Sequence, residues 1–220
     1  MTQDKRLSGF ILLSPLIVLL FTRFGVELSI RLFERQFSWI TAFLGYYISI
    51  LIVYFIARFF LKVDLLRKLD FRLRPVPKTG LLFWTIIIPA LLPIAALISQ
   101  FNAVPPLFFI YILVFAVVNS FFEEIYWRGF LRFLPGNGFF RTILTAGLFS
   151  FSHFFFWNYW YGSLIILIPT VISTFLMGVL WMHFVNKQKN IIYPILSHLI
   201  VDILNCSVAV YYGLIHPEHF

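Results

Sequence analysis

Three short patterns in the second half of the chain carry side chains able to move protons: Glu123-Glu124-Ile-Tyr-Trp-Arg128, Phe149-Ser-Phe-Ser-His153 and His198-Leu-Ile-Val-Asp202. On a helix, Glu124 and Arg128 are four apart and share a face, so they can pair as ions. Glu123 is turned about 100° from Glu124 by the helical period, and its own neighbour one turn on is Trp127. One carboxylate is thereby neutralised while the other meets apolar, aromatic surroundings, a setting that suits a general base working near neutral pH. The same residues can also be read as a buried ion network with no chemical task. A lone histidine such as His153 can simply bridge helices by hydrogen bonds. His198 and Asp202 are again four apart, so the carboxylate can hold the imidazole in one tautomer; a structural His–Asp bridge explains that pair equally well. Each signal is weak alone. Three of them on three helices of one small protein reinforce one another.

The elements that must position these groups are membrane helices. The chain has 220 residues, of which 61% are hydrophobic, 20% aromatic and only 12% charged. An ordinary soluble domain carries about a quarter charged residues, and so large an apolar share cannot all be hidden inside one globule. This excludes a soluble enzyme, a disordered chain and a disulfide-stapled secreted domain. The single cysteine, Cys206, excludes an intramolecular disulfide and any Cys-based zinc motif. The net charge is +8, but the basic residues sit between apolar spans, so no nucleic-acid partner is expected. The composition predicts an all-α polytopic membrane bundle of about seven transmembrane helices (six to eight), forming one integral membrane domain over 1–220.

Spans of roughly 20 mainly apolar residues are predicted near 8–22, 38–57, 81–99, 106–127, 141–160, 163–185 and 191–213. The first is the weakest, because it is short and contains Pro15. Its basic, then apolar, start resembles a signal peptide, but no small-residue cleavage site follows, so a retained anchor is expected. Arg23, Arg31 and Arg35 lie with Glu27 and Glu34 at helical spacing, which predicts an interfacial amphipathic helix over 23–37. In that case the first span would be re-entrant and the count would fall to six. A cytoplasmic N-terminus leaves only those three of the 17 basic residues outside, a bias that supports the N-in orientation. The basic loop from Arg58 to Gly80, closed by Pro75 and Pro77, reads as a cytoplasmic loop of the kind this bias produces, or as one lying on anionic headgroups. Pro135-Gly-Asn-Gly138 predicts a turn after the fourth span. Trp157 to Tyr161 predict an aromatic belt at the outer interface.

Ionisable residues inside spans are costly and usually functional. Here they are few: Glu123, Glu124, Arg128, His153, His183, His198 and Asp202. His183 lies near the cytoplasmic Lys187 and is read as interfacial; His216 and His219, in the tail, are given no catalytic role. Depth poses a difficulty. At about 1.5 Å per residue, Glu123 falls near the cytoplasmic end of its helix, His198 about 10 Å in and His153 about 18 Å in. Convergence then requires the fifth span to be tilted, broken near Gly147, or begun above the bilayer surface, with a water-filled cavity open to the cytoplasm.

The ordered set Glu-Glu-x-x-x-Arg, Phe-x-x-x-His and His-x-x-x-Asp resembles the CAAX protease and bacteriocin-processing (CPBP, or Abi) family of intramembrane endopeptidases. The motifs span 123–202 and place the catalytic core in the C-terminal half, over 106–213. The resemblance implies that Glu123 and His153 activate the attacking water, that Glu124 and Arg128 support that first carboxylate, and that His198 and Asp202 serve the tetrahedral oxyanion. Prenyl-protein-processing members usually carry Asn at the last position, where this chain has Asp202. An ionised carboxylate would repel an oxyanion, so Asp202 is expected either to be protonated or to orient His198. The orienting role is the one favoured here.

The implied function is hydrolysis of a peptide bond in a membrane-associated or lipidated peptide, in a multi-pass protein of the bacterial plasma membrane. No cofactor is expected. The alternatives are a zinc protease using Glu123, His153, His198 and Asp202 as ligands, although HExxH is absent, and a non-catalytic membrane anchor or assembly factor. A small transporter is disfavoured by the absence of repeated halves.

Overall fold

The computed structural model describes residues 3–64, 66–73, 80, 84–85, 87–89, 91, 94, 106–161 and 164–215. Six long α-helices run through these residues: α1 (Gln3–Leu32), α2 (Arg35–Phe55), α3 (Pro106–Glu124), α4 (Gly138–Tyr161), α5 (Leu164–Gln188) and α6 (Ile192–Ile215). The protein is an all-α membrane bundle. Five helical runs are long and apolar enough to cross a membrane: Arg6–Leu32, Thr41–Phe60, Ile110–Phe133, Gly138–Tyr159 and Leu167–Gln188. The apolar run of α6, Ile192–Asn205, is shorter. The predicted span at 81–99 lies mostly outside the described residues, as do Pro75, Pro77 and the tail histidines.

The helices pack as two hairpins, α1 with α2 and α4 with α5, and a third pair, α3 with α6, which carries most of the candidate residues. Leu12, Leu16, Leu44, Leu51, Val114 and Val117 are exposed on the outer faces, as an apolar solvent allows. Aromatic side chains fill much of the interior; Trp127, Trp181, Tyr126 and Phe130 are fully buried.

The first helix departs from expectation. α1 is one continuous helix from Gln3 to Leu32, so residues 23–32 extend the first span and do not form a separate interfacial helix. Two local devices account for this. Pro15 has no N–H for the carbonyl of Ile11, and the Ser14 hydroxyl donates to that carbonyl instead at 3.0 Å. Further along, Arg23 pairs with Glu27 at 2.8 Å. Its guanidinium also lies 4.6 Å from the centre of the Tyr159 ring on α4, so the charges are neutralised against the aromatic end of that helix.

The predicted turn at 135–138 is present. Gly136 adopts φ +114°, the left-handed region glycine tolerates, and the Asn137 carboxamide oxygen accepts from the Phe140 N–H at 2.8 Å to start α4. The basic loop after α2 folds back on the bundle. The Ile191 N–H donates to the Asp70 carbonyl at 3.0 Å, the Asn190 amide to that of Arg72 at 2.7 Å, and Arg132 to that of Lys68 at 2.9 Å. Leu69 is buried with Ile125 and Ile191, tying the loop to the ends of the helices that bear the site.

The α4–α5 hairpin closes through small residues. A Cβ placed on Gly178 would stand 3.1 Å from the Ala146 Cα and 3.4 Å from an Arg128 nitrogen. Gly178→Val is therefore expected to destabilise the protein by about 1–3 kcal/mol through overpacking. The check is a lowered melting temperature of the detergent-solubilised protein.

Candidate active site

α3 does not end at Glu124. It passes into a π-helical stretch, Ile125–Phe130, and a short 3-10 turn, Leu131–Phe133. All six residues of the π stretch are buried, so this length of helix faces protein on every side. π turns recur at functional sites. The continuation also bears on depth. Glu123 lies ten residues inside the end of the apolar run, about 15 Å at 1.5 Å per residue. That narrows the gap to His153, and α4 runs unbroken through Gly147.

The structure brings Glu123, Glu124, Arg128, His153, His198 and Asp202 to one place. Glu124 is its hub. One oxygen, Oε1, accepts from the Arg128 guanidinium and from His198 Nδ1, each at 2.8 Å. Glu124 and Arg128 are both 0% exposed. The expected Glu124–Arg128 pair is therefore present, but the same carboxylate also reaches across to α6. The Arg128 guanidinium lies 4.0 Å from the Phe149 ring centre and 4.9 Å from that of Trp181, held between two aromatic faces.

His198 is positioned differently from its own-helix spacing. Its Nε2 stands 3.5 Å from Asp202 Oδ1 and 3.5 Å from Glu123 Oε2. The short hydrogen bond that orients the ring comes from Glu124 on α3, with Asp202 at longer range. Trp181 stacks on the imidazole with centroids 4.7 Å apart and planes 24° apart. The Trp181 indole in turn donates to Ser197 at 3.0 Å and to the Thr85 carbonyl at 3.1 Å. Both ring nitrogens of His198 face carboxylate oxygens, which only accept, so the ring is arranged as a double donor.

His153 has the complementary arrangement. Its Nδ1 lies 3.0 Å from the Phe149 carbonyl, which also only accepts, so Nδ1 carries the hydrogen and Nε2 is left as the acceptor. His153 and Glu123 line a common cavity of about 10 Å³, together with Thr22, Tyr46 and Ser152; that is about the space of one water. Glu123 Oε2 is buried with no hydrogen-bond partner.

A larger cavity of about 270 Å³ borders His153, His198 and Asp202 and is otherwise lined by Asn119, Phe115, Trp157 and the Pro169–Met177 face of α5. Among the described residues no group of three or more His, Cys, Asp and Glu side chains is arranged to hold a metal ion. His183 is exposed, beside Lys187 in a groove between α4 and α5, apart from the cluster.

Sequence reasoning missed the uncharged members. Asn119, one turn before Glu123, donates from Nδ2 to Asp202 Oδ2 at 3.0 Å and accepts from the Tyr47 hydroxyl at 2.9 Å. Tyr46 accepts from the Trp127 indole at 2.7 Å and sits against Glu123. The only signal was position: Asn119 falls on the Glu123 face of α3, and the tyrosines are adjacent polar groups in an apolar span.

Residues 105–204 match the Rce1-like family, described as type II CAAX prenyl endopeptidases. All six candidate residues lie within that segment. No curated protein matches the chain significantly, and no solved structure does.

Because Glu124 and Arg128 are wholly buried, removing either strands the other's charge. Arg128→Met is expected to cost about 3–5 kcal/mol, seen as a large drop in melting temperature. Glu123→Gln, whose Oε2 has no hydrogen bond to lose, is expected to melt close to the wild type.

Proposed function

With residues 105–204 belonging to the Rce1-like CAAX endopeptidase family, we propose that this integral membrane protein hydrolyses a peptide bond in a membrane-associated or lipidated peptide, using a water activated by Glu123 and His153. The observation that carries this reading is the water-sized cavity those two residues share, beside a carboxylate with no other hydrogen bond to one of its oxygens.

The residues divide the work. A water held between the Glu123 carboxylate and His153 Nε2 gives its proton to one of them as its oxygen attacks the scissile carbonyl carbon. The π electrons of the carbonyl move to its oxygen, and His198 Nε2–H faces the charge that develops there. Glu124 holds His198 in place through Nδ1, and Arg128 balances Glu124. When the tetrahedral intermediate collapses, the C–N bond breaks and the proton taken from the water passes to the leaving nitrogen. The supporting geometry is the opposite hydrogen placement on the two histidines, one presenting an acceptor and the other a donor. The larger cavity, bordered by His153, His198 and Asp202, is the place for the peptide. On this reading the catalytic core is the C-terminal half, oriented with its basic loops in the cytoplasm of a bacterial cell.

Glu123→Ala and His153→Ala are expected to abolish cleavage of the physiological substrate while leaving membrane insertion and melting temperature near wild type. Membrane proteomics of cells carrying each variant should show one uncleaved precursor accumulating; full processing in both would refute the assignment. The reaction is proposed to need no metal. Active purified protein should contain far less than one metal ion per chain and keep its activity in chelator, whereas stoichiometric metal lost together with activity would contradict this.

A further inference from the structure

The reading above leaves the oxyanion with one donor, His198, and beside it a carboxylate, Asp202, that cannot donate when ionised. The structure supplies a second donor from a different helix. Asn119 is 4% exposed and lines the larger cavity together with His198 and Asp202. Its carboxamide is fixed at both ends: the Tyr47 hydroxyl donates to its Oδ1 at 2.9 Å, and its Nδ2 donates to Asp202 Oδ2 at 3.0 Å. Tyr47 is itself held by a stacked Phe122, with ring centroids 5.0 Å apart.

An amide nitrogen carries two hydrogens. Asp202 takes one, and the other is available to a ligand in the cavity that Asn119 lines. The two oxygens of Asp202 face two donors, Asn119 Nδ2 and, at 3.5 Å, His198 Nε2. The carboxylate thus sits between the same pair of N–H groups that a tetrahedral oxyanion would need. Asn119 lies one helical turn from Glu123, which places an amide donor on the same face as the water-activating carboxylate.

We propose that Asn119 is the second oxyanion donor of this site, with Tyr47 and Asp202 as positioning residues that fix its amide. This rests on the proteolytic reading above. It gives Asp202 a task that an ionised carboxylate can perform: accepting from Asn119 and so directing the remaining N–H at the reacting carbonyl. It also assigns a role to Tyr47, a polar group of α2, outside the segment that matches the family.

The test uses the full-length protein in detergent and a pair of fluorescence-quenched CAAX peptides, one farnesylated and one not. Rates are normalised to folded protein by melting curves. Asn119→Ala is expected to lower kcat about 100- to 1,000-fold, the loss typical of one oxyanion donor, with KM within about threefold of wild type. Tyr47→Phe, which frees the amide without removing it, should give a smaller loss in kcat of about tenfold, well short of removing the donor outright. Asn119→Asp keeps the shape but removes the donor, and should match Asn119→Ala. Combining Asn119→Asp with Asp202→Asn restores one amide facing one carboxylate and should recover a measurable part of kcat. If Asn119→Ala retains kcat within threefold, or if its loss vanishes once rates are normalised to folded protein, the proposal is overturned. Glu123→Ala separates the two levels: cleavage that survives it overturns the water-activating role of Glu123, and a wild type that cleaves neither peptide overturns the proteolytic reading itself.

Discussion

One carboxylate organises the site. Glu124 cannot be left charged in a dry helical bundle without a partner, and it has two, Arg128 on its own helical run and His198 on α6, both at 2.8 Å from one oxygen. That three-way contact ties α3 to α6 at the level of the candidate residues. It fixes the imidazole of His198, so that its other nitrogen turns toward Glu123, Asp202 and the cavity. It also engages Arg128 at 2.8 Å, while Glu123 is left with only the longer 3.5 Å approach of His198 Nε2. Neighbouring glutamates, alike in sequence, acquire different surroundings for that reason.

The shell around this contact consists largely of aromatic faces. Phe149 and Trp181 enclose the Arg128 guanidinium, and Trp181 also stacks on His198. These contacts need flat surfaces at set heights on α4 and α5, and the close approach at Gly178 and Ala146 lets the two helices supply them. At one end of the bundle, the loop after α2 is stitched to the start of α6 through Asp70, Arg72 and Asn190. The first hairpin and the site-bearing helices are therefore coupled at that end and again through Tyr46, Tyr47 and Ser14, whose hydroxyl lies 3.1 Å from that of Tyr126.

Much of this was legible in the sequence, and what was not has a common cause. Hydropathy marked most of the spans because a bilayer imposes one length and one polarity on each. Scarcity of charge singled out Glu123, Glu124, Arg128, His153, His198 and Asp202 for the same reason, and the structure brings all six together. Spacing four apart identified the Glu124–Arg128 pair. It pointed to Asp202 as the orienter of His198, because spacing sees only one helix at a time; the closer partner, Glu124, is 74 residues away. Asn119 and Tyr47 escaped notice because uncharged polar groups are common in spans and their partners lie 83 and 72 residues distant. The continuity of α1 was likewise hidden. Two of the charges that predicted an interface, Arg23 and Glu27, pair within the helix, and Arg23 also lies against Tyr159, far along the chain.

The central claim is that Glu123 acts on a water and does not itself attack the peptide bond. Single-turnover cleavage in water enriched in heavy oxygen tests it most directly, with enzyme in excess over a peptide and the new carboxyl terminus read by mass spectrometry. Direct attack by water predicts one heavy oxygen in the new carboxylate from the first turnover. An unlabelled product in that turnover, with the label found on the Glu123 side chain, would show a covalent anhydride and contradict the account.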